Sequence, residues 1–383
     1  MSVKVSTSLF LEVTCIVFAT LFAYVALLFT AGQQVDLVNF AKGEQNTLQC
    51  EVFKDRPYTG SDVKEIKTII DMCHSDEIKH QYTSAFHRIL WLGNSQLHYI
   101  NQYQQGDHLA PYWLKMGWES PAMIEPLGFS LPNANLQEFL LLSRYAMMNV
   151  PVNLLMVELV FDDLREDGLR GDFSEMLTPG FVTEFRRSST TAENMIERFF
   201  STCKVNGEGT DDTLSGTIQK PVEQWLNARL STIWRLWESR PQIEGNVLLA
   251  LYNFRNYALG IKPTTVRRMI KARYDLNMDA LRDVLNDCRQ RGIPVLLYIA
   301  PIRHDKPIPY DSTEYSLWKN EIVLTSQRYG AQLVNLEQLV PGELWGTYVG
   351  DDADFMHFQG AGHRLVAEAL LPNVKKILDD RER

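Results

Sequence analysis

Apolar and polar positions follow two alternating rhythms along this chain. Short runs dominated by apolar residues at 89–92, 129–131, 152–159, 294–299 and 332–336 have the length of strands, and most read as buried on both faces. Between them lie helical stretches, with apolar residues recurring every three or four positions: 61–70, 136–148, 278–291, 314–329 and the segment following His363. Asn135, three residues ahead of Glu138, has the spacing of a capping box, and Gly292 closes the helix before it. Strands alternating with helices over short connections predict an α/β fold: a three-layer sandwich with a parallel sheet, flavodoxin-like in type.

Two regions depart from the rhythm. Residues 165–285 are helical in periodicity, plainest at 188–200, 221–237 and 263–274, and are read as a large helical insertion within the same domain. Residues 13–30 carry no charge and reach the length of a transmembrane helix, with Lys4 ahead of them favouring an N-in orientation. Residues 29–32 match a small-residue cleavage site poorly, so an uncleaved anchor is preferred over a cleaved signal peptide. Either reading puts the rest of the chain in the periplasm or outside the cell. The organisation read from this is an anchor at 1–31, a juxtamembrane stalk at 32–85, and an α/β domain at 86–383.

Composition narrows the function classes. The 383 residues are 45% hydrophobic and 22% charged, enough for a sizeable core, and the formal net charge of -9 excludes the basic footprint of a nucleic-acid-binding protein. With Cys15 in the anchor, Cys50, Cys73, Cys203 and Cys288 remain, either all reduced or with Cys50–Cys73 the first candidate pair. No Cys-x-x-Cys occurs, and no spacing of His, Asp and Glu points to a metal site or a cofactor.

The chemistry-bearing residues sit at the ends of the apolar runs. Gly93-Asn94-Ser95 follows the first, placing a serine hydroxyl at a strand-to-helix turn. Asp354-x-x-His357 precedes the last helix; an Asp there can orient the imidazole while its far nitrogen serves as a base, which a serine nucleophile needs. Asp162, Asp163, Arg165 and Glu166 follow the third run, and Tyr298 and Arg303 mark the end of the fourth. His98 reads as an exposed helical histidine, His363 as structural, and Arg267-Arg268 as part of a solvated helix face.

These motifs, in this order, resemble the SGNH (GDSL-type) hydrolases over about residues 86–164 and 290–383. The anchor and insertion look more like the envelope branch that includes DltD and the AlgX/AlgJ acetylation proteins. The resemblance implies Ser95 as nucleophile, His357 as general base and Asp354 as its orienting carboxylate. It implies an oxyanion hole built from the Ser95 N–H and a donor after the second strand. Pro132 has no N–H, which leaves Asn133 or Ala134 for that role. The family's third donor, an Asn after the third strand, is replaced here by Asp162, so the chain departs from the pattern. The resemblance further implies an envelope polysaccharide or teichoic-acid-like polymer as substrate, and a membrane-bound O-acyltransferase as partner. A non-catalytic scaffold holding such a partner or polymer is the alternative.

Overall fold

The computed structural model describes residues 57–74, 86–119, 123–207, 265–347 and 353–382, all within one compact unit. The elements are β1 (Tyr58–Gly60), α1 (Val63–His74), β2 (Phe86–Gly93), α2 (Ser95–His98), α3 (Ala110–Met116), β3 (Met123–Ser130), α4 (Leu136–Asn149) and β4 (Leu154–Leu159). They continue with α5 (Pro179–Ser188), α6 (Thr190–Gly207), α7 (Lys271–Gln290), β5 (Val295–Ile299), α8 (Ser312–Tyr329), β6 (Gln332–Asn335), β7 (Trp345–Thr347), β8 (Ala353–Phe358) and α9 (Gly360–Glu382). Six strands make one parallel sheet in the order β1-β3-β2-β4-β5-β6.

Alternation along the central strands builds the three layers, because successive side chains leave a strand on opposite faces. Leu90, Leu92, Leu155, Val157, Leu297 and Ile299 enter one core, under α1, α4 and α7. Ile89, Trp91, Leu154, Met156, Leu296 and Tyr298 enter the other, under α3 and α9. The three-layer α/β reading with a parallel sheet therefore holds. The capping box at the start of α4 is present: Asn135 Oδ1 accepts the Glu138 N–H, and the Glu138 carboxylate accepts the Asn135 N–H.

Several boundaries differ for identifiable reasons. β2 begins at Phe86 rather than at 89, because Arg88 is neutralised across the β2–β3 ladder by Glu125, its register partner. β3 is eight residues long, where Pro126 and Gly128 had interrupted the apolar pattern. Residues 57–74, assigned above to a stalk, are built into the domain. β1 pairs with β3, and α1 buries Val63, Ile66, Ile69, Ile70 and Cys73, a stripe that needs a covering layer. Residues 265–270 are not helical; Arg267 bridges to the chain beside Tyr310, and the helix starts at Lys271. α7 is the crossover between β4 and β5, so the insertion at 165–285 lies within that connection. The expected helix at 221–237 lies outside the described residues.

The apolar run 13–30 also lies outside them; among the described residues no helix is long and apolar enough to cross a membrane. Cys73 and Cys288 carry free, buried thiols; Cys50, the candidate partner of Cys73, lies outside the described residues.

Candidate active site

The site assembles at the carboxyl ends of the parallel strands, where the sheet hands over to loops. Gly93 ends β2 because nothing larger fits: a Cβ there would stand 2.6 Å from Glu158 Oε2 and 2.8 Å from Leu97 Cβ. Asn94 follows in extended backbone and caps α2, its Oδ1 accepting the Gln96 N–H at 2.8 Å. Ser95 is then the first residue of α2, directly beyond the end of the strand.

The other half comes from β8, the strand that carries Asp354-x-x-His357 into the last helix. Trp345 pairs with Phe358 and Thr347 with Ala353, so residues 354–357 stand opposite Gly346 alone. A bulge of that size frees Asp354 and His357 from the opposite-face geometry of a regular strand, three residues apart as they are. Asp354 Oδ1 accepts the N–H groups of Met356 and His357 at 2.8 and 3.1 Å, folding the bulge around the carboxylate.

The structure brings together Ser95, His357 and Asp354, which span 262 positions of sequence. His357 Nε2 lies 3.0 Å from Ser95 Oγ, and His357 Nδ1 lies 2.9 Å from Asp354 Oδ2. Asp354 is fully buried and acceptor-only when ionised, so the proton between them sits on Nδ1 and leaves Nε2 to receive the serine proton. Burial pushes the Asp354 carboxyl up, but the hydrogen bond and charge of His357, the Met356 N–H and Asn101 outweigh it, and its pKa is lowered. The carboxylate therefore stays charged beside the imidazole. Tyr99 packs its ring edge-on to His357, with ring centroids 5.9 Å apart, and is itself held by His363 Nε2, 3.1 Å from its carbonyl. Burial lowers the His363 pKa to about 3, so His363 is neutral and donates that bond. A neutral imidazole there adds no cation beside the site.

The remaining expected site residues go elsewhere. The Ala134 N–H is spent on the Leu131 carbonyl at 3.1 Å, which removes it as an oxyanion donor. Asn133 is exposed on the same turn in left-handed backbone (φ 51), and among the described residues no hydrogen bond ties it to Ser95. Asp162 pairs with Arg267 and with Arg165, the latter at 3.4 Å, and Arg165 also donates to the Arg268 carbonyl. The Asp162 charge is thus compensated by the segment leading into α7 rather than left facing the serine, and Arg267 is no solvated helix face. Arg303 is buried against Asp305 and donates to the Gly346 carbonyl at 2.8 Å, bracing β7 instead of reaching the site. His98 is not exposed: it is buried, with Nδ1 3.2 Å from the Asn94 carbonyl.

Three contributors escaped the sequence reading. Asn101 donates to Asp354 Oδ2 at 2.8 Å, and Gly346 is a glycine because a Cβ would lie 2.0 Å from the Asn101 side chain. Glu158, a carboxyl in the middle of an apolar strand, accepts the Asn94 N–H at 3.0 Å; that lone acid was the one visible signal. Gln96 lines a recess of about 260 Å³, its solvent-open part included, walled by Val160, Phe161, Pro301, Phe355 and Met356. The recess adjoins the residues that follow Ser95 and precede His357. No cluster of His, Cys, Asp and Glu among the described residues has the makings of a metal site.

No family model matches the sequence, and no curated protein matches it. Several solved structures resemble the fold. A carbohydrate acetylesterase family member from Sinorhizobium meliloti is 10% identical with a TM-score of 0.37, covering 76% of this chain and 99% of its own. An acetylxylan esterase from Geobacillus stearothermophilus is 8% identical with a TM-score of 0.36, covering 75% and 94%. A GDSL-like lipase from Bacteroides thetaiotaomicron is 10% identical with a TM-score of 0.38, covering 82% and 97%. At such distances activity has to be read from the chain's own atoms.

Proposed function

We propose that this chain is a serine esterase or acyltransferase of SGNH type, acting on O-acyl groups of a cell-envelope polysaccharide or teichoic-acid-like polymer. The observation that carries the catalytic part is the unbroken hydrogen-bond chain Ser95–His357–Asp354. Ser95 Oγ attacks the acyl carbonyl while His357 Nε2 takes the hydroxyl proton, and Asp354 stabilises the imidazolium that forms. His357 then gives the proton to the departing alcohol oxygen, leaving the acyl group on Ser95. A water or an acceptor hydroxyl, deprotonated by the same nitrogen, completes hydrolysis or transfer. The oxyanion rests on the Ser95 N–H with few partners, since Ala134 is spent and Asp162 stands where the resemblance calls for an Asn. Each such donor is worth roughly 10²–10³ in rate, so slow transfer to a bound acceptor fits better than rapid hydrolysis.

Tethering through 13–30, N-in, with the domain in the periplasm or outside the cell and a membrane-bound O-acyltransferase as partner, rests on the sequence pattern alone. Removing residues 1–31 is expected to move the protein from the membrane to the soluble fraction.

The direct test is covalent labelling by a fluorophosphonate. Wild type is expected to label and Ser95→Ala not to, with unchanged circular dichroism. Equal labelling of both would overturn the nucleophile assignment. Normal polymer acylation in cells carrying Ser95→Ala would favour the non-catalytic scaffold.

A further inference from the structure

The nucleophile turn rests on two carboxyl groups that the Ser–His–Asp chain does not use. Glu158 comes from β4 and Asp163 from the turn after it; they are 2% and 3% exposed. The Asn94 N–H donates to Glu158 Oε2 at 3.0 Å, and Asn94 Nδ2 donates to Asp163 Oδ1 at 2.9 Å. The residue immediately before Ser95 is therefore held twice, once by its backbone and once by its side chain. Glu158 is anchored in turn: its Oε1 lies 3.2 Å from the Tyr298 hydroxyl, which donates to it when Glu158 is ionised, and the Tyr298 oxygen accepts Trp91 Nε1–H at 3.0 Å. Gly93 closes the contact, its missing side chain making room for Glu158 Oε2.

We propose that Glu158 and Asp163 are the positioning residues of the nucleophile turn, gripping Asn94 as uncharged carboxylic acids, and that ionisation of Glu158 slows the reaction at Ser95. The inference rests on the serine chemistry proposed above. Its geometric ground is the double grip combined with the charges that are missing. Facing Glu158 are Gly93 and Asn94 of the turn and Tyr298 of β5, itself bonded to Trp91 of β2, with Asp163 as the second acid. Neither acid has an ion pair among the described residues, while the neighbouring Asp162 takes both Arg165 and Arg267. Two charges placed this deep without a cation would each carry the heavy solvation penalty of a buried, unpaired ion. Burial accordingly pushes Glu158 up to about 8, against the opposing hydrogen bonds from Asn94 and Tyr298. Burial raises Asp163 as well, with Glu158 adding to the effect. Once ionised, Glu158 sets a negative charge against the backbone of the turn where the oxyanion has to form, in surroundings that screen it poorly.

The test is the rate of fluorophosphonate labelling across the pH range, with melting temperatures to confirm folding. Wild type is expected to lose rate above about pH 8. Glu158→Gln, a neutral shape-mimic, is expected to hold its rate through that range. Tyr298→Phe removes a hydrogen bond that favours the ionised form, so its decline is expected to move to higher pH. Asp163→Ala is expected to lose about 10²-fold, the usual scale for a displaced reacting group, and Asp163→Asn, which keeps an acceptor for Asn94, to stay near wild type. The proposal is overturned if Glu158→Gln keeps the alkaline decline, or if Asp163→Asn falls as far as Asp163→Ala. A wild type that never labels is a different result, since it removes the serine chemistry itself.

Discussion

Asn101 donates its side-chain amide to Asp354 Oδ2 at 2.8 Å, the same oxygen that lies 2.9 Å from His357 Nδ1. The two donors flank one carboxylate oxygen while the backbone N–H groups of Met356 and His357 hold the other. A fully buried carboxylate with four donors is fixed in direction and kept ionised, the state in which it can orient an imidazole.

Replacing Asn101 by Ala removes one of those donors from a site that water does not reach. The loss is worth about 1–3 kcal/mol, so kcat/KM toward an activated ester is expected to fall about tenfold or more. The Asp354 pKa also rises without that bond. A kcat/KM equal to that of the wild type would argue against the role.

Asp354→Asn keeps the shape and loses the charge. Its amide can donate toward Nδ1, favouring the tautomer with the proton on Nε2, which cannot accept from Ser95. A kcat loss of roughly 10³–10⁴ is expected in ester hydrolysis, with little change in far-ultraviolet circular dichroism.

Gly346→Ala is expected to act on stability and site together. Its Cβ would stand 2.0 Å from the Asn101 side chain, so either Asn101 leaves Asp354 or β7 shifts. A destabilisation of about 1–3 kcal/mol by chemical denaturation, together with slower labelling, is the expected pair of outcomes. Gly171→Ala, with nothing within 4 Å of the new Cβ, is the matched control and should change neither.

The Arg88–Glu125 pair lies buried across β2 and β3, just upstream of the nucleophile turn. Arg88→Met or Glu125→Gln alone strands or weakens a buried charge, and the Arg88→Met change is expected to cost about 3–5 kcal/mol in urea unfolding. The double change Arg88→Met/Glu125→Leu should recover most of that loss.

Acid stability carries a signature of His363. Its folded pKa, about 3, lies below the ordinary value of 6.5, so on acidification the unfolded chain binds this proton first. The stabilisation is complete above about pH 6.5 and is lost progressively as pH falls toward 3. His363→Gln should flatten that part of the stability–pH curve, provided Gln still reaches the Tyr99 carbonyl.

Much of the architecture was legible in one dimension because its signals are local. Buried parallel strands need nearly continuous apolar runs, helices covering them need apolar stripes, and Asn135 with Glu138 is a self-contained cap. Ser95 and the pair Asp354 and His357 were legible for the same reason, each in a motif a few residues long. What the sequence could not carry were relations between segments far apart. The edge strand Tyr58–Gly60 is too short for periodicity to show, and only its pairing with β3 makes it part of the sheet. Ala134 satisfied every local criterion for an oxyanion donor until its N–H was found on Leu131. Asn101 carries no motif, and its role depends on a bulge formed more than two hundred residues later.

Gly93-Asn94-Ser95 shows the division most clearly. The sequence by itself determined that a glycine, a capping side chain and a serine would stand at a strand-to-helix turn, because backbone conformation and capping are decided within a few residues. Only the tertiary structure decided that His357 would reach that serine, that Asp162 would be answered by Arg165 and Arg267, and that Glu158 and Asp163 would hold Asn94 from below. Burial and charge compensation depend on what the rest of the chain brings to a point, and no local pattern records that.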